Sequence, residues 1–180
     1  MEDASPGPLW TRARVNVEHF HGSYEYGIDG KGRLILPSRL RGPFETKKAV
    51  VSCYVDRCLA LWTPEEFTRY LSRAEEMEAH GSEGRNLARA LSALSAEVEL
   101  DGQWRVTIPG NLRDYADLEL DRPVMVVGVL NRIELWRADL WRQRMAPSLQ
   151  SLADGTSALF SNGPAPVAQR AGASGAGDLP

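Results

Sequence analysis

The sequence predicts an α+β chain, mainly β, built from two pseudo-symmetric repeats with helices at the periphery. Three observations lead there. Asp29-Gly30-Lys31-Gly32-Arg33-Leu34-Ile35-Leu36-Pro37 returns 72 residues later as Asp101-Gly102-Gln103-Trp104-Arg105-Val106-Thr107-Ile108-Pro109. Each copy runs on to a Leu-Arg pair, Leu40-Arg41 and Leu112-Arg113, giving six identities in 13 positions. After a two-residue shift, Val50 to Phe67 is answered by Val124 to Trp141. Both copies consist of short alternating apolar segments punctuated by Gly and Pro, which is strand periodicity, and helical periodicity follows only after each hairpin. A repeat of this length constrains the fold before any local pattern does.

Residues 1–18 mix Pro, Gly, Ser and charge without period and are expected to form a flexible extension. The first repeat occupies 19–94. Tyr24, Tyr26 and Ile28 alternate with polar positions as a strand, whose mate in the second repeat, 95–159, is Ala96, Val98 and Leu100. Asp29-Gly30 and Asp101-Gly102 supply turns. The next strands point Leu34 and Leu36, or Val106 and Ile108, inward, with Ile35 and Thr107 outward. Pro37 and Pro109 stop them and open short helical turns, because proline lacks the ladder N–H yet fits a first helical turn. A hairpin follows in each half, closed by Leu61-Trp62 and Leu135-Trp136, with both Trp rings expected in the core.

Thr63-Pro64-Glu65-Glu66 reads as a capping box opening a helix whose inner face is Phe67, Leu71 and Ala74, ended by His80-Gly81. A second helix from about Gly84 to Ala93 would place Leu87, Leu91 and Leu94 on one stripe. The second half repeats only the first helix, from Asp139 to Met145, with Pro147 breaking or kinking it and Leu149 to Ala153 resuming. Residues 160–180 are Gly, Ala and Pro with few large apolar groups and are expected to be disordered.

The 180 residues are 43% apolar and 25% charged, ordinary for a globular protein, and no apolar run approaches a membrane span. The acidic start MEDASPGPLW predicts no secretory signal, so a cytoplasmic protein is expected. Cys53 and Cys58 flank a predicted turn at Asp56-Arg57, with Cys53 facing Ala60 and Val55 facing Cys58, and read as free, half-buried thiols.

A net charge of −3 excludes a coat of positive charge but not a local patch. Asp29 to Lys48 holds six cations against two anions, whereas Asp101 to Arg122 holds three against five. The loop Asp29 to Arg33 sets two cations beside Gly30 and Gly32, a composition suited to close phosphate approach, with Asp29 orienting Arg33 while Lys31 faces outward. Its glycine spacing is neither that of a P-loop nor of a dinucleotide fold. His19, His21 and His80 have no nucleophile or metal-ligand spacing about them, and the run Glu75 to Glu78 reads as a solvated helix face. No catalysis, cofactor, metal or small-molecule substrate is expected.

The doubled Asp-x-x-x-Arg motif, each in the setting strand, loop, strand, Pro, resembles the MraZ family of bacterial transcriptional regulators, related to swapped-hairpin folds of the AbrB and MazE type. Phe20-His21-Gly22, Ala88-Arg89-Ala90, Val127-Gly128-Val129 and Asn131 to Trp136 are also similar, so the resemblance runs from about Phe20 to Leu152. It implies an AbrB-like barrel, double-psi or swapped-hairpin, formed by the two repeats. It also implies nucleoid-associated rings that bind repeated promoter boxes of the division and cell-wall gene cluster. Lys31 and Arg33 would contact DNA first, with Arg39, Arg41 and His21 in support, and Asp29, Gly30 and Gly32 would orient the motif. A ring of subunits would gain affinity by effective concentration.

Three positions depart from the family. His21 replaces an arginine, Gln103 replaces the second motif's lysine, and Trp104 stands where glycine is usual. Together with the acidic second window, they assign Asp101, Arg105 and Arg113 to a structural role or a weaker DNA contact. Two rivals are an antitoxin-like partner of a toxin and a scaffold that binds no DNA.

Overall fold

The structure, a computed structural model, describes residues 19–78 and 81–156. The expected extension at 1–18, His80 and the tail at 160–180 lie outside the described residues. Eight strands and four α-helices follow one another: β1 (Ser23–Gly27), β2 (Arg33–Ile35), β3 (Lys48–Cys53), β4 (Leu59–Trp62), α1 (Pro64–Glu78), α2 (Gly81–Ala93), β5 (Ser95–Glu99), β6 (Arg105–Thr107), α3 (Gly110–Tyr115), β7 (Pro123–Val129), β8 (Arg132–Arg137) and α4 (Ala138–Ala153). By compactness the chain divides within α4, between Trp141 and Arg142.

Six strands form an open antiparallel sheet in the order β1-β7-β8-β4-β3-β5, and β2 pairs with β6 as a separate two-stranded ribbon. This order exchanges elements between the repeats. The first half's β1 lies on the second half's hairpin, Ser23 opposite Val127, while β5 lies on the first half's hairpin, Ala49 opposite Val98. Single bridges, Ile28 to Leu34 and Leu100 to Val106, connect the ribbon to its flanks. Ile28, Leu34, Leu36, Leu40, Val106, Ile108 and Leu112 are all buried in one cluster, so the inward residues of both copies of the repeat share a core. Each such side chain contributes about 1.5–3 kcal/mol on burial.

Both hairpin tryptophans are buried, Trp62 donating to Ser52 Oγ at 3.0 Å and Trp136 to Glu134 Oε2 at 3.0 Å. The first hairpin's register differs from the expected one: Cys53 faces Leu59 and Ser52 faces Ala60. Val55 to Arg57 winds into a 3-10 turn, closed by Tyr54 N donating to Cys58 O at 2.9 Å, so three residues turn where two were expected. The cysteines are free, and burial pushes both thiols upward, Cys58 further because the Glu134 carboxylate adds to burial. Native protein at pH 8 is expected to take up iodoacetamide far more slowly than denatured protein, read by mass spectrometry.

Thr63 caps α1 by accepting from Glu66 N at 3.3 Å. The Glu66 carboxylate does not close the box; it pairs with Arg69 and accepts from Asn131 Nδ2 at 2.7 Å, tying the helix to the β7–β8 turn. Phe67, Leu71 and Ala74 are half-buried on α1 as expected. The expected stripe on α2 is rotated: Gly84 and Leu91 are buried and Ala88 half-buried, whereas Leu87 is 50% exposed. At about 100° per residue Leu87 lies about 60° from Gly84 and about 100° from Ala88, at the edge of the buried face, while Leu94 still packs against the core. Helix α4 runs unbroken through Pro147, giving up one internal hydrogen bond rather than ending there.

Gly128 permits a close crossing of chains. A Cβ built there would meet His21 N at 2.5 Å and the Phe20 carbonyl carbon at 2.7 Å, both backbone atoms unable to swing aside. Gly128→Ala is therefore expected to cost about 1–3 kcal/mol, measured by urea unfolding.

Candidate nucleic-acid interface

Antiparallel pairing sets Arg33 opposite Thr107 and Ile35 opposite Arg105, while Leu34 and Val106 pair between them and are buried. Because side chains alternate along a strand, Arg33, Ile35, Arg105 and Thr107 share the ribbon's outward face. Ile35 is 42% exposed there.

Each arginine is held by the aspartate four residues before it. Asp29 Oδ1 accepts from Lys31 N and Arg33 N, both at 2.9 Å, and Oδ2 accepts from Arg33 Nε at 2.8 Å and lies 2.7 Å from its Nη2. Asp101 repeats the clasp, with Gln103 N at 2.8 Å, Arg105 N at 3.0 Å and Arg105 Nε at 2.7 Å. Gly32 N and Trp104 N donate to Asp29 O and Asp101 O. The backbone at Gly32 has φ of +77° and at Trp104 +61°, so the tryptophan adopts the left-handed turn that glycine takes without penalty.

The side-chain and backbone hydrogen bonds from Arg33 lower the Asp29 carboxyl from 3.8 to about 2, and the backbone and side-chain hydrogen bonds from Arg105 hold the Asp101 carboxyl below its ordinary value. A carboxyl whose folded pKa is depressed stabilises above its unfolded value and loses that contribution as pH falls through the folded one. The Asp29 clasp is thus complete above about pH 4 and opens only toward pH 2. Any DNA retention is expected to show no carboxylate-linked loss between pH 5 and 8, checked by repeating a binding titration across that range.

The loops are completed from the opposite repeat. Ile108 N donates to Gly32 O and Leu36 N to Trp104 O, each at 2.8 Å. Arg113, fixed by Nε donating to Ile108 O at 3.2 Å, stands over Gly32, 3.5 Å from where a Cβ would lie. Arg41, fixed by Nε donating to Leu36 O at 2.8 Å, has its Cζ 5.5 Å from the Trp104 ring centre, and Lys47 Nζ lies over the same ring. Arg41 therefore belongs with the second loop and Arg113 with the first. Charge counted in contiguous windows does not describe either loop.

Lys31, Arg39 and Gly30 are exposed. His21 is exposed too, but it precedes β1 beside Gly128, whereas the Asp29 loop follows the strand's other end, on the order of 20 Å away by strand rise. The structure does not bring it to the loop. Sequence spacing within the motif does not single out Lys47. Its signal was the two-residue shift between repeats, which makes Asp121 its counterpart, both at positive φ, +60° and +57°.

A family model described as "MraZ protein, putative antitoxin-like" matches residues 19–89 and 93–162. The chain belongs to the MraZ family. A protein named transcriptional regulator MraZ from Lachnoclostridium phytofermentans is 36% identical over 135 residues, covering 75% of this chain and 93% of that protein. One of the same name from Treponema pallidum subsp. pallidum is 35% identical over 141 residues, covering 78% and 93%. Another, from Pseudomonas syringae pv. syringae, is 36% identical over 126 residues, covering 68% and 82%. Both Asp-x-x-x-Arg clasps and the whole β2–β6 ribbon fall inside the MraZ match.

Proposed function

We propose that this chain is a sequence-specific DNA-binding transcriptional regulator that presents the outward face of the β2–β6 ribbon to duplex DNA. The observation that carries this reading is the display of Arg33 and Arg105 on one face, each aimed by its own aspartate. A two-stranded ribbon is narrow enough for the major groove, about 12 Å wide, where arginine is the commonest reader of guanine. Asp29 takes the Nε edge of Arg33, which fixes the plane of the guanidinium and leaves its other edge for a base or phosphate. The relatives' name, transcriptional regulator, supports the same use.

The finer reading is a cytoplasmic, nucleoid-associated ring on repeated promoter boxes of the division and cell-wall genes, with no catalysis. Each subunit would be a swapped-hairpin barrel, supported by the exchange of β1, β5 and the ribbon strands between repeats 19–94 and 95–159. A single ribbon reaches few phosphates, and repeated boxes would raise affinity through a multivalent ring. Binding of the full chain to its own upstream region, titrated at two salt concentrations against a scrambled duplex, tests this. Specific retention whose logarithm falls by about 0.9 per phosphate contact for each decade of salt supports it. Equal, weak retention of both duplexes overturns it.

A further inference from the structure

Arg41 and Lys47 come from two different turns of the first repeat, yet both converge on one ring, that of Trp104 in the second. Burial and the neighbouring Arg41 both depress the Lys47 ammonium, with only Asp101 opposing them. Asp101 is already committed to Arg105 and to the Gln103 amide. Three cations thus crowd around one occupied carboxylate. Arg41 spends only its Nε on the Leu36 carbonyl, which sets its direction while its terminal nitrogens make no ion pair among the described residues. An anion placed between Arg41 and Lys47 would relieve their mutual repulsion.

The pseudo-symmetric end of the ribbon gives the comparison. There the loop supplies its own lysine, Lys31, and the opposite repeat supplies Arg113, while the counterpart of Lys47 is Asp121. At the second loop, Gln103 replaces the loop lysine, and Lys47 stands in for it from the other repeat. Each end therefore carries one lysine and two arginines: Lys31, Arg33 and Arg113 at the first, Lys47, Arg105 and Arg41 at the second. The acidic window around the second motif conceals this equality because two of its three cations lie in the first half of the chain.

We infer that Lys47 and Arg41, held on the Trp104 ring, form with Arg105 a second DNA-phosphate site, so that both ends of the ribbon grip the duplex. This rests on the DNA-reading function proposed above. Trp104 acts as a positioning residue, since its aromatic face attracts both cations and limits where their heads can lie.

The test is the salt dependence of full-chain binding to duplex DNA from its own upstream region. Lys47→Asn keeps a residue tolerant of positive φ and is expected to reduce the salt slope by about 0.9 per subunit, as Lys31→Gln does at the first end. Lys47→Arg restores the slope. Lys48→Gln, at the neighbouring exposed position, leaves it unchanged. Trp104→Gly keeps the turn and lowers affinity several-fold, and Lys47→Asn then adds little in that background; Trp104→Phe retains the effect of Lys47. Wild-type slopes in Lys47→Asn, or additive effects of Lys47→Asn and Trp104→Gly, overturn the inference while Lys31→Gln still weakens binding. Absence of specific binding by the wild-type chain overturns the function itself and this site with it.

Discussion

Alanine at both Arg33 and Arg105 is expected to abolish specific retention of the upstream duplex, with each single change weakening it by about 10- to 100-fold. The two side chains share the outward face of the ribbon, and each is pre-aimed by a carboxylate that stays ionised at neutral pH. Losing either leaves an aspartate facing the DNA phosphates, so repulsion adds to the missing contact. Asp29→Asn with Arg33 intact separates aiming from charge: the side chain keeps its cation but loses the ionic clasp, and specificity should fall more than non-specific binding. A mobility shift with specific and scrambled duplexes reads both. Equal losses of specific and scrambled binding in Asp29→Asn would show that Asp29 does not aim Arg33.

Removal of Arg132 is expected to destabilise the fold by about 3–5 kcal/mol, the largest effect on stability of the substitutions considered. Glu134 is buried on β8 and accepts from Arg132 Nε at 2.8 Å and Trp136 Nε1 at 3.0 Å, with Arg132 Nη2 2.6 Å away. The guanidinium also lies over the Tyr54 and Trp62 rings, so its cation is enclosed by aromatic faces. Arg132→Leu leaves a buried carboxylate without its counter-charge. Arg132→Leu with Glu134→Gln removes both charges while keeping an acceptor for Trp136 Nε1, and should recover most of the loss because no buried carboxylate is left without its counter-charge. Urea unfolding of the single and double variants measures the coupling, and additive losses would mean that the two side chains do not act as a pair.

The features legible in the sequence were those encoded by short spacing. The Asp-to-Arg interval of four residues predicted the clasp, the alternation around Leu34 and Val106 predicted which residues are buried, and Thr63-Pro64 predicted the start of α1. Partners brought from the other half left no local trace. Nothing in the periodicity of β1 says that it lies on β7 rather than on its own hairpin, and both ends of the ribbon depend on that exchange. In sequence Trp104 is only a departure from the usual glycine that counts against the second motif as a DNA contact; in the folded chain its ring lies beside Arg41 and Lys47. Helical spacing alone puts Leu87 on one stripe with Leu91 and Leu94, whereas the buried residues of α2 are Gly84 and Leu91. His21 lay near the motif in sequence but is separated from it by the length of a strand.

The central claim is that the outward face of the β2–β6 ribbon meets the DNA. A photo-crosslinking amino acid at Ile35, which is exposed on that face between the two arginines, tests it most directly. Incorporation at Val55, 61% exposed on the β3–β4 turn and so more open to solvent than Ile35, serves as the reference. Irradiation of each protein with the upstream duplex should give a covalent adduct from position 35, suppressed by unlabelled specific competitor, and little from position 55. Specific adducts from position 55 with none from position 35 would contradict the assignment of the ribbon as the DNA-reading face.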